Sequence, residues 1–170
     1  MTWTRLHDAV QHHDYKEAVN IAHLSSDEAM MVDDHGSTPL HLACWGNPPI
    51  DVIQALLKAC PQAATDKDVI GNTPLHIASG YPGTDPNLIR EILKVCPTAA
   101  SMTNKEGLMP LHVACRHACH NVRVISALID AYPYALKART RVSQLFFRLY
   151  YDDNNCSFDI TVISSPPFVA

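Results

Sequence analysis

Residues 112–120 read HVACRHACH, and within them His112, Cys115, Cys119 and His120 are four groups that a zinc ion accepts as ligands. Zinc requires such donors around a single point at about 2.0–2.3 Å, so the reading depends on how the chain between them is folded. The same stretch offers a second chemistry. Cys119 beside His117 or His120 is a thiol next to a base, the pairing from which a cysteine nucleophile is made. No acid that would orient the base and no oxyanion donors accompany that pair. A phosphate-cradling glycine loop, a serine-nucleophile elbow and a paired-carboxylate signature are likewise missing from the sequence. Whether His112 and Cys115 are chemical groups or packing groups is decided by the elements that carry them.

Those elements recur. TPLHLAC at 38–44 returns as TPLHIAS at 73–79 and as MPLHVAC at 109–115, and Gly36, Gly71 and Gly107 stand 35 and 36 residues apart. Pro61, Pro97 and Pro133 keep the same period, as do Leu57, Leu93 and Ile129 and also Val52, Leu88 and Val124. A worn copy, TRLHDA at 4–9, falls on TPLHLA at 38–43 with an offset of 34. An active site needs unlike groups assembled once. A unit that cannot bury its own apolar face is repeated so that copies bury one another.

Each copy reads as a turn followed by two antiparallel helices. Thr38 is a suitable N-cap and Pro39 a suitable first helical residue, after which Leu40, Ala43 and Cys44 share one face. Asn47 and Pro48 are expected to open a second helix striped by Val52, Ile53, Leu56 and Leu57, as Asp85 and Pro86 do before Leu88, Ile89, Ile92 and Leu93. Cys60-Pro61 and Cys96-Pro97 end these helices, because the residue before a proline resists the helical conformation. The polar stretches ATDKDVIGNT and SMTNKEGLM carry the glycine that a turn with positive φ requires.

The phrase built from Asp33, Gly36, Thr38, Pro39, Leu40 and His41 resembles that of the ankyrin-repeat family. It is matched by Asp68, Gly71, Thr73, Pro74, Leu75 and His76, and by Asn104, Gly107, Pro110, Leu111 and His112, with Met109 replacing the threonine. The resemblance implies an all-α ankyrin-repeat solenoid of stacked helix-turn-helix units joined by hairpin turns, with an irregular C-terminal tail. Its repeat domain is expected at 1–138, with a degenerate first repeat at 3–35 and full repeats at about 36–70, 71–106 and 107–138. These units run two or three residues beyond the family's usual length, and the extra residues are expected at the Cys-Pro helix ends. The resemblance also implies that His41, His76 and His112 tie adjacent hairpin turns together, which removes His112 from the zinc set and makes Cys115 a small packing residue like Cys44 and Ser79.

By the same resemblance the function is recognition: a non-catalytic protein-protein interaction module, with no catalytic residue, cofactor or metal. Side chains that vary between copies are expected to line one concave surface: Asp34, His35, Ser37 and Trp45, then Val69, Ile70, Asn72 and Tyr81, then Lys105, Glu106, Leu108, Arg116 and His117. Trp45 and Tyr81 are candidate anchors. Two rival readings stand beside this one, a metal- or thiol-dependent site around Cys115 to His120, and a fragment of a larger repeat-bearing protein.

Composition narrows the classes further. A hydrophobic fraction of 47% over 170 residues is enough for a core, and the net charge of -4 argues against a dedicated nucleic-acid binder. Six basic residues between Arg116 and Arg148 against the single acid Asp130 form a local cationic stretch, read here as a solvated face. The N-terminus lacks the apolar run of a secretory signal, and no stretch approaches the roughly 20 apolar residues of a membrane span. A monomeric, intracellular, cytoplasmic protein with reduced cysteines is expected. Past Ala138 the period fails: the next glycine position is Ser143 and the next TPLH position reads LFFR. Residues 139–170 are expected to form a partial repeat or cap and then an irregular, mobile tail with a short extended piece at 160–163.

Overall fold

The computed structural model describes residues 3–117 and 121–137. The expected cap around Phe146 and Phe147, the tail, and Cys119 with His120 lie outside the described residues. Within them the chain forms α1 (Arg5–Gln11), α2 (Tyr15–Leu24), a short α3 (Ser26–Met30), α4 (Pro39–Gly46), α5 (Ile50–Ala59), α6 (Pro74–Gly80), α7 (Pro86–Val95), α8 (Pro110–His117) and α9 (Val122–Ala131). Two layers result. Helices α1, α4, α6 and α8 stack on one another in sequence, and α2, α5, α7 and α9 stack behind them.

The first-layer helices start where the sequence places them. Thr38 and Thr73 are extended N-caps, and Pro39 and Pro74 take the first turn, where a missing N–H leaves nothing unsatisfied. Leu40, Leu75 and Leu111 are buried one above another. Ala43 with Cys44, Ala78 with Ser79, and Ala114 supply the small buried surfaces that let these short helices approach. Ser79 remains satisfied there because its hydroxyl donates to the Leu75 carbonyl at 2.6 Å. Behind them, Val52, Ile53, Leu56 and Leu57 of α5, Leu88, Ile89 and Ile92 of α7, and Val124, Ile125, Leu128 and Ile129 of α9 complete one continuous core from Leu6 to Ala135. No helix among the described residues is long and apolar enough to cross a membrane.

One local feature departs from the sequence expectation. The second helix of the first full copy opens at Ile50 with Pro49 as its N-cap, two residues later than Asn47-Pro48 suggests. The cause is the double proline: Pro49 bars Pro48 from the helical conformation, so the helix begins only beyond both. Asn47 instead ends α4 in the left-handed region at φ 48°, and its side-chain oxygen accepts from the Asp85 backbone N–H at 2.9 Å. The second-layer helices end ahead of Pro61, Pro97 and Pro133 as the sequence predicts, and after each the chain passes through one 3-10 turn: Pro61–Ala64, Pro97–Ser101 and Pro133–Lys137. Buried alanines fill these turns (Ala63 and Ala64, Ala99 and Ala100, Ala135).

Four histidines stand at the same place in the four copies, and three of them couple one copy to the next. In each, a backbone N–H donates to Nδ1 of the histidine three residues on: Thr4 to His7, Thr38 to His41, Thr73 to His76 and Met109 to His112, at 3.1–3.2 Å. A backbone N–H can only donate, so Nδ1 is bare and the ring proton sits on Nε2. That proton is given to a carbonyl further along the chain: Ser37 at 3.2 Å from His7, Asn72 at 3.1 Å from His41, Leu108 at 2.9 Å from His76, and Ala135 at 3.3 Å from His112. The first three acceptors stand just before the next N-cap. The fourth lies in the 3-10 turn of the same copy, so the last rung closes on its own unit.

Both ring nitrogens are committed to the neutral form, and burial pushes each of these imidazoles below the ordinary histidine range, His76 to about 4. The unfolded chain therefore binds more protons than the folded one between about pH 6.5 and 4. Stability is complete above that window and is lost as pH falls through it, by up to about 3 kcal/mol from His76 alone. Urea denaturation at a series of pH values should show this decline, and replacing His76 with Gln should flatten part of it. Leu75→Ala, which empties a fully buried site, should cost about 2–5 kcal/mol in the same assay at neutral pH.

Candidate functional site: the hairpin tips and inner helices

Each loop between copies folds into the same tight turn. The side-chain oxygen of Asp33 accepts from the backbone N–H groups of His35 and Ser37, Asp68 does the same for Ile70 and Asn72, and Asn104 for Glu106 and Leu108, all at 2.8–3.0 Å. An aspartate or asparagine at this position thus satisfies the amides that the turn would leave bare. Gly36, Gly71 and Gly107 follow at φ 71°, 80° and 75°, in the region that side chains with a Cβ avoid.

The turns are also joined to one another. The Val69 N–H donates to the His35 carbonyl at 2.9 Å and the Lys105 N–H to the Ile70 carbonyl at 3.1 Å, which sets three tips edge to edge. Asn104 donates from its side-chain amide to the Asn72 side-chain oxygen at 2.9 Å, and the Lys67 ammonium donates to the Thr103 carbonyl at 2.7 Å. With their backbone groups engaged in this way, the tips turn the side chains of residues 34 and 35, 69 and 70, and 105 and 106 outward, and all six are exposed.

The tips therefore carry Asp34 and His35, then Val69 and Ile70, then Lys105 and Glu106. Val69 is 52% and Ile70 58% exposed, large values for β-branched side chains. On α4 Trp45 is 65% exposed, and Tyr81, just past the end of α6, is 39% exposed and lies over Gly83, where a Cβ would meet its ring at 3.0 Å. Arg116 reaches from α8 back to Glu106 with a 2.8 Å ion pair, and His117 is exposed beside it.

Two of the surface residues expected from sequence are buried and a third is half-buried. Leu108 is 2% exposed and Ser37 9%, so neither side chain lies on the free surface, and Asn72 is half-buried. The physical reason is common to all three. Each stands at the position whose carbonyl accepts the histidine proton from the preceding copy, which holds that stretch of backbone against the stack.

The exposed loop between α1 and α2 adds a further feature. His13 lies in the left-handed region at φ 60°, its ring nitrogen is 2.7 Å from the Tyr15 hydroxyl, and its ring comes within 3.2 Å of where a Cβ on Gly46 would stand. This pair packs beside Gly46 at the end of α4. The signal was available: the 34-residue offset places His13 on Asn47, and both residues are left-handed. As for the metal reading, both nitrogens of His112 are occupied by the backbone, Cys115 is half-buried, and no group of three or more His, Cys, Asp or Glu suited to a metal ion occurs among the described residues.

A family model described as ankyrin repeats matches residues 6–84 in three copies. No curated protein matches the chain. The turn geometry yields a comparison between two glycines. Both Gly71 and Gly107 have positive φ, but a Cβ on Gly71 would come within 2.8 Å of the Lys105 backbone nitrogen, whereas one on Gly107 would meet nothing within 4 Å among the described residues. Gly107→Ala should cost about 1 kcal/mol for the strained backbone alone. Gly71→Ala should cost clearly more, because the next tip must move; chemical denaturation of the two variants side by side checks the difference.

Proposed function

The chain is an ankyrin-repeat protein, and from that premise we propose that it acts as a non-catalytic binding module which presents its hairpin tips and first-layer helices to a protein partner. Ankyrin repeats are in general protein-protein interaction modules, and the family is typically non-catalytic. The observation that carries the reading is the exposure of Trp45, Tyr81, Val69 and Ile70 on a scaffold whose buried side-chain polar atoms are all partnered among the described residues. Such a scaffold does not need large apolar side chains at its turn tips for its own stability, whereas protein interfaces draw much of their energy from aromatic anchors.

The mechanism is one of presentation. Tips joined by backbone hydrogen bonds and helices joined through histidines hold the contact side chains in place before the partner arrives, so little ordering is needed on binding. Asp34, His35, Trp45, Val69, Ile70, Tyr81, Lys105, Glu106, Arg116 and His117 make up this surface in the proposal, and Ser37, Asn72 and Leu108 support it from beneath. The module acts as a monomer.

Replacing Trp45 and Tyr81 together with Ala should lower capture of protein partners from a native cell lysate by tenfold or more, as expected for loss of two interface aromatics. Helicity by circular dichroism should stay unchanged, since both side chains lie outside the core. Undiminished capture by the folded double variant would remove the groove from the account.

A further inference from the structure

The row of tips is electrically and chemically ordered from one end to the other. The first tip carries two carboxylates, Asp33 and Asp34. The second carries one, Asp68, with Asp66 and Lys67 offsetting each other just before it. In the third, Asn104 takes the aspartate position, Lys105 adds a cation, and Glu106 is offset by its ion pair to Arg116. Between the charged ends stand Val69 and Ile70, exposed and uncharged. The Asp34 carboxylate and the Lys105 ammonium have no partner among the described residues, so each is available to a ligand.

The spacing follows from the hydrogen bonding. Each tip contributes two chain segments, and neighbouring tips are bonded edge to edge, so the rise per tip is about twice the strand spacing, or about 10 Å. An extended peptide covers that distance in about three residues at 3.3–3.4 Å each. Asp34 and Lys105, two tips apart, are therefore separated by about 20 Å, roughly two screening lengths at 0.1 M salt. Across that distance they do not neutralise one another, and each attracts its own counter-charge.

We propose that the tip row is a docking site for an extended peptide segment of a protein partner. This segment has an apolar side chain seated on Val69 and Ile70, a basic residue about three positions to one side facing Asp34, and an acidic residue about three positions to the other side facing Lys105. The proposal rests on the protein-binding reading above and adds to it the chemistry of the partner. Charge complementarity at the two ends supplies register, and the apolar centre supplies the desolvated contact between them.

A random dodecapeptide display library selected on the folded protein tests this. Enriched peptides should carry Arg or Lys and Asp or Glu on opposite sides of an aliphatic or aromatic residue, each about three positions away. Asp34→Lys should shift enrichment to acids on both sides, and Lys105→Glu to bases on both sides. Both positions are exposed tip side chains outside the core, and circular dichroism verifies that the variants remain folded. A peptide selected on the unaltered protein should lose about tenfold in affinity to either variant at low salt, and the loss should shrink as salt is raised. Enrichment without this order, or enrichment that neither charge reversal shifts, overturns the proposal, as does a library that yields no binders. Binders insensitive to both reversals but lost on replacing Trp45 and Tyr81 would leave the wider binding reading standing while this one fails.

Discussion

The stack depends on an imidazole that is held at both nitrogens. Its Nδ1 receives the N–H of the residue that opens its own helix, and its Nε2 gives its proton to the chain just ahead of the next helix. One side chain thus fixes the start of one repeat and the position of the following one. The bond works only for a neutral ring with its proton on Nε2, and burial enforces that form by penalising the charge. Local capping and long-range stacking are therefore carried by the two nitrogens of one ring.

From this follows the division of labour along each repeat. The residue ahead of the N-cap gives its carbonyl to the histidine of the preceding copy, and at that position Ser37 and Leu108 are buried and Asn72 is half-buried. The two residues ahead of the glycine carry no such duty. Their backbone groups bond to neighbouring tips and their side chains are free to differ, which is why an acidic, an apolar and a mixed-charge pair can occupy equivalent places on one scaffold. The glycine between these groups lets the backbone reverse with positive φ, and at Gly71 it also lets the following tip come close.

The two ends of the described stack are not alike. The first copy lacks the proline and is closed by α3 and by the Glu28 carboxylate, which accepts from the Leu6 N–H at 3.1 Å and pairs with Arg5. These contacts hold Glu28 below the usual carboxylate range despite the cost of burial. At the other end His112 turns back to Ala135 within its own copy, and Gly107 has no neighbour over it among the described residues. The same motif therefore meets three environments: a capped start, a fully sandwiched middle, and a last rung that closes on itself.

By itself the sequence determined the repeat, its period, and most helix starts, because threonine, proline, leucine and histidine at fixed spacing act through local chemistry: capping, a preset φ, and one buried face. Even His13 was legible in the 34-residue offset. Tertiary structure alone decided which variable side chains face out, because the inward pull on Ser37, Asn72 and Leu108 comes from a histidine some thirty residues earlier in the chain. It also decided that Val69 and Ile70 stand between Asp34 and Lys105 in one row, since their spacing is set by bonds between tips and not by distance along the chain. Contacts between repeats are properties of the stack, and a single repeat read in isolation does not contain them.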